Sequence, residues 1–148
     1  FCKLGVTNME CRVSWLGNSG MAFSAETGSG HLVNMDGAPE AGGRNLAPRP
    51  MELLLAGAGG CSAFDVVLIL QRARQAVTAC DVTLKAERAA EDPKVFTKIN
   101  LHFTVKGKDL DTAKVDRAVK LSHDKYCSAT TMLAKTAELT YSIEVISE

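Results

Sequence analysis

Residues 51–76, MELLLAGAGGCSAFDVVLILQRARQA, limit what this chain can become more than any other segment. From Leu53 to Leu70 the only charged residue is Asp65, and the length approaches that of a membrane span. Gly57, Gly59 and Gly60, one carboxylate and strand-like flanks favour a buried central helix instead. Pro50 stands where a helix accepts proline, at its first position. A helix apolar on nearly every face needs cover all round, and a chain of 148 residues supplies a sheet for only part of it. A homodimer is the expected solution.

The flanks alternate as strands should. Cys11, Val13 and Trp15 alternate with polar neighbours over residues 10–17, which predicts a half-buried strand. Asn18-Ser19-Gly20 turns into a second strand, Met21 to Glu26, and Thr27-Gly28-Ser29-Gly30 into a third, His31 to Met35. Residues 36–50 show no periodicity and form a long loop, the kind that is functional or disordered. Beyond the central helix, Val82, Leu84 and Ala86 mark one strand; Ile99, Leu101, Phe103 and Val105 mark the next, with Glu91-Asp92-Pro93 as their turn. Asp109 to Tyr126 reads as an amphipathic helix capped by Asp109 or Asp111, with Val115, Ala118, Val119 and Leu121 inward. A short helix spans Ser128 to Lys135, and a last strand, 138–146, faces Leu139, Tyr141, Ile143 and Val145 one way. The order β-β-β-α-β-β-α-α-β is an α+β chain, expected to form mostly antiparallel sheet in one domain. Residues 1–8 precede Met9 and read as appended or misannotated sequence.

Lys+Arg and Asp+Glu are equal at 17 each, which argues against nucleic acid or an anionic membrane as partner. The five cysteines are odd in number, widely spaced and without CxxC, so neither a secreted disulfide scaffold nor a zinc cage is expected. The first residues lack a basic stretch followed by an apolar run. Together these features point to a reducing, cytoplasmic setting.

Two cysteines stand apart. Gly59 and Gly60 before Cys61 each cost about 1 kcal/mol of helix propensity relative to Ala, which is easier to understand if something approaches the sulfur closely. Leu54, Gly57, Ala58, Asp65 and Leu68 share its face, and a charged Asp65 there would raise the thiol pKa. The alternative for Cys61 is simple packing. Cys127 precedes a short helix at Ser128, where a thiolate is favoured, or it fills a helix–helix corner. Cys2, Cys11 and Cys80 read as structural. His31, His102 and His123 are isolated, so none is assigned as a ligand, and the glycines inside the helix are no dinucleotide fingerprint.

The segment Pro50-Met51-Glu52-Leu53-Leu54-Leu55-Ala56, then Gly60-Cys61-Ser62, then Tyr126-Cys127-Ser128, resembles the OsmC/Ohr family, and most closely its YhfA-like branch. The resemblance covers about residues 9–148. It implies an intertwined homodimer with central helices wrapped by sheets. It also implies reduction of organic hydroperoxides, with Cys61 as attacking thiolate and Cys127 resolving it as a disulfide. An external dithiol would restore the pair, with no metal or bound cofactor. Two family positions differ. Met51 stands where the family has a carboxylate, with Glu52 one place along, and the first turn lacks the family's Arg. Glu52, with Arg44 and Arg49 in the loop or Arg12 on a strand, are the candidates to substitute, and Cys61 is expected to react more slowly. Two other functions stay open: binding a small apolar ligand without catalysis, and sensing redox state through dimer contacts.

Overall fold

The computed structural model describes residues 8–148. Cys2 lies outside them, as does the segment read as appended except for Asn8. The chain divides into two compact units, Phe1–Leu54 and Leu55–Glu148.

In the first unit, β1 (Cys11–Trp15), β2 (Phe23–Thr27) and β3 (Leu32–Met35) form an antiparallel meander. The turn after β1 holds Gly17, Asn18 and Ser19 at φ +73°, +58° and +60°. Three successive left-handed residues reverse the chain there, and the Trp15 indole Nε1–H locks the turn on the Gly20 carbonyl at 2.9 Å. The half-burial expected of β1 is not met: every residue of it is exposed, Trp15 by 57%. Alternation reports which face wants cover, and among the described residues of this unit that face has none. The loop after β3 is ordered by one buried carboxylate. Asp36 accepts hydrogen bonds from the backbone N–H groups of Gly37, Arg44 and Leu46 at 2.7, 3.2 and 3.2 Å. The Leu46 N–H contributes most to holding its pKa below the usual carboxylate value.

The central helix, α1 (Pro50–Arg72), starts at the proline as expected. It ends sooner than residue 76. Arg74 adopts φ +57°, and the Gln75 N–H reaches back to the Leu70 carbonyl at 2.9 Å. This is a Schellman-type stop made by an arginine where glycine is usual, so composition does not mark it. Strand β4 (Ala76–Arg88) begins at once.

In the second unit β4 pairs antiparallel with β5 (Phe96–Lys108), and β5 with β6 (Glu138–Ser147). The last pairing is parallel, Ile99 against Leu139 and Leu101 against Tyr141, the one parallel pair among the described strands of an otherwise antiparallel set. Two helices, α2 (Thr112–Leu121) and α3 (Ser128–Leu133), lie between β5 and β6, and a helical crossover of that length returns the chain in the same direction. Ile99, Leu101, Phe103 and Val105 are at most 2% exposed, so the period-2 face reads correctly. Asp111 caps α2 by accepting the Ala113 N–H at 3.0 Å, and Val115, Ala118 and Val119 are fully buried. Gly59 lets α1 approach the sheet. A Cβ there would meet Leu84 Cδ1 at 2.7 Å, whereas Gly57 and Gly60 face open space. The glycine cost before Cys61 is thus tied to helix–sheet packing at Gly59 and to an uncovered surface at the other two.

Candidate functional site

Three reactive side chains of the second unit converge. Cys61 and Asp65 are four residues apart on α1, hence on one face. Cys127 arrives from a chain segment 66 residues on. The two sulfurs and a carboxylate oxygen of Asp65 all lie within 4.8 Å of one another.

What delivers Cys127 is a change of helix type. After α2 the chain widens into a π-helical turn, Ser122–Tyr126, closed by the Cys127 N–H on the Ser122 carbonyl at 2.9 Å. The single amphipathic helix expected to run to Tyr126 is therefore broken at Leu121. Single π turns of this kind occur often at functional sites, because the extra residue redirects the chain beyond it. Cys127 then leaves the helical region and caps α3, its sulfur accepting the Thr130 N–H at 3.4 Å.

Each member of the cluster is held by a neighbour. The Ser62 hydroxyl lies 3.3 Å from the Cys127 sulfur. The Ser122 hydroxyl points at Asp65 Oδ2 and the Ser62 carbonyl, both at 3.3 Å. Ser62, Ser122 and Thr130 are buried, as are Asp65 and Cys127, whereas Cys61 retains partial exposure. Sequence reasoning misses Ser122 and Thr130. A serine inside a helical pattern and a threonine three residues past a cysteine are too common to signal a site.

The two thiols differ in acidity. Burial pushes the Cys61 thiol up. The Ala129 N–H works against this, while the neighbouring Cys127 and Asp65 reinforce it. Burial also opposes charge on Cys127, but hydrogen bonds from Ser62, Thr130 and Cys61 outweigh it, and the net direction is down. Of the two sulfurs, Cys127 is the one its surroundings favour to ionise first, and a hydrogen bond from the Cys61 thiol contributes to that. Burial likewise raises Asp65, which Ser122 partly offsets. Expectation and structure agree on Asp65 as a group that opposes a Cys61 thiolate.

The remaining candidates sit elsewhere in their own units. In the first, Arg44 donates to the Asn18 carbonyl at 3.3 Å, and Arg49 donates to Asn45 Oδ1 at 3.4 Å and pairs with Glu52 at 3.0 Å. Cys11 is exposed rather than packed. In the second, burial beside Asp81 pushes the Cys80 thiol up to about 11, as suits an inert packed residue.

The OsmC-like protein family profile matches residues 42–142, a span that includes both cysteines and Asp65. The chain belongs to the OsmC-like family. Within it, this OsmC-like chain is 51% identical over 139 residues to protein YhfA of Escherichia coli K12, covering 94% of this chain and 99% of that one. A crystal structure of a hypothetical protein from Aquifex aeolicus VF5 superposes with a TM-score of 0.83 at 29% identity, over 97% and 99% of the two chains. An organic hydroperoxide resistance protein OsmC from Legionella pneumophila shares the fold, with a TM-score of 0.67 at 17% identity over 95% and 99%.

Proposed function

We propose that this protein is a thiol-dependent redox protein that reduces organic hydroperoxides through Cys61 and Cys127. The observation supporting this most directly is a partly exposed cysteine whose sulfur lies within 4.8 Å of a second, buried and charge-stabilised one. The Cys61 proton passes along its hydrogen bond to Cys127 as the Cys61 sulfur attacks the outer peroxide oxygen. The O–O bond breaks, and the departing alkoxide takes the proton now on Cys127, giving the alcohol and restoring the Cys127 thiolate. Cys61 is left as sulfenic acid. Cys127 then attacks that sulfur, hydroxide leaves as water, and a disulfide closes. An external dithiol returns both thiols, so the cycle needs no resident cofactor. The reading places the protein in a reducing cytoplasm. One equivalent of an alkyl hydroperoxide is expected to produce a Cys61–Cys127 crosslink, seen by peptide mass mapping, with repeated turnover once a dithiol is supplied. Peroxide consumption undiminished in Cys61→Ser would overturn the proposal.

The working form in this reading is a homodimer. The most apolar window of α1 has a mean hydropathy of 2.1, enough by composition for a membrane span, yet only 33% of it is buried. Phe64 on α1 and Met132 on α3 are exposed by 59% and 73%. A second copy laid on these faces would cover them without lipid. Sedimentation equilibrium at micromolar protein should give twice the chain mass; a stable monomer would rule this out.

A further inference from the structure

The redox reading uses the two sulfurs and leaves the carboxylate beside them without a task. We propose that Cys61, Asp65 and Cys127 together form a binding site for one thiophilic d10 divalent cation, Zn2+ or Cd2+, with a fourth coordination position open to solvent. Two sulfurs and one carboxylate oxygen are a donor set that selects such ions over Mg2+ or Ca2+. Donors bound to one tetrahedral ion at about 2.0–2.3 Å stand roughly 3.3–3.8 Å apart. The three donor atoms here are already within 4.8 Å of one another, so closure needs only small side-chain rotations.

The surroundings are those of a built site rather than a chance grouping. Metal ligands are held by outer hydrogen bonds that fix their direction. The Cys127 sulfur receives the Thr130 N–H and contacts the Ser62 hydroxyl, and the Asp65 carboxylate receives the Ser122 hydroxyl. All of these groups are buried, which excludes competing water. Partial exposure at Cys61 leaves the route by which an ion and a fourth ligand enter. A bound ion would occupy the lone pairs that attack peroxide and so would shield the thiols from oxidation.

The inference uses the same cysteines as the redox reading but not its chemistry, so the two fail separately. Reduced full-length protein is titrated with Cd2+ alone, following sulfur-to-metal charge-transfer absorption, and Zn2+ is then added as competitor. One ion per chain is expected, displaced by Zn2+. Cys61→Ser and Cys127→Ser should lose the band, and Asp65→Asn should weaken binding at least about tenfold. Ser122→Ala, which removes the hydroxyl that Asp65 and the Ser62 carbonyl share but none of the three ligands, should cost about 10- to 100-fold. Cys11→Ser and Cys80→Ser should match wild type, and thermal melts confirm that each variant is folded. Wild-type affinity in folded Cys61→Ser or Asp65→Asn overturns the site. So does loss of the band in Cys11→Ser, or a wild-type protein that binds neither ion. A peroxide-induced crosslink that survives without metal binding leaves the redox reading standing alone.

Discussion

Cys127→Ser, in metal-free protein, is expected to shift the ionisation of Cys61 to lower pH and to abolish the peroxide-induced crosslink. In the wild-type pair the first charge settles on Cys127, which hydrogen bonds from Ser62 and Thr130 favour. Cys61 must then ionise against that charge while also donating its own proton to it, and both effects raise its pKa. Serine removes the charge with a side chain of the same shape and slightly smaller volume. Burial and Asp65 still hold Cys61 up, but the contribution from its partner is gone, so its thiolate appears at lower pH than in wild type. The measurement is a pH profile of Cys61 alkylation, read by peptide mass mapping. Peroxide should then drive Cys61 on to sulfinate, since no resolving thiol intercepts the sulfenic acid. A profile that stays in place or moves upward would mean that the sulfurs do not share a proton.

Leu70→Ala should be the most damaging single truncation in the helix that carries the site. Leu70 and Val66 are fully buried on α1. Removing a packed leucine side chain costs about 2–5 kcal/mol in lost transfer energy and residual cavity. A chain of this size melts about 2–4 °C lower per kcal/mol, so the melting temperature should fall by about 4–20 °C at fixed protein concentration. The exposed Phe64, earlier on the same helix, serves as the contrast. Its truncation should leave the melting of a dissociated chain nearly unchanged. A loss under about 2 °C for Leu70→Ala would mean that the site collapses around the missing atoms or was never tightly packed.

Those parts of this protein that depend on near neighbours are legible in its sequence. Alternation over Ile99 to Val105 places the buried face of β5, because side chains on a strand alternate whatever lies beyond it. Pro50 marks the start of α1 and Asp111 the cap of α2, since both act on backbone groups within one turn. The motif around Cys61 and Cys127 identifies the family and both sulfurs. Features that depend on residues far apart were set by the folded chain instead. Nothing local tells β6 to run parallel to β5, because pairing direction depends on how the crossover packs. Arg74 ends α1 in a conformation that its side chain does not advertise. The π turn at Ser122–Tyr126 brings Cys127 across 66 residues to Cys61, and one extra residue in a helical turn leaves no mark in composition. The order of acidity of the two thiols is settled in the same way. It depends on which sulfur receives the hydrogen bonds of Ser62 and Thr130, a matter of side-chain placement that no spacing in the chain encodes.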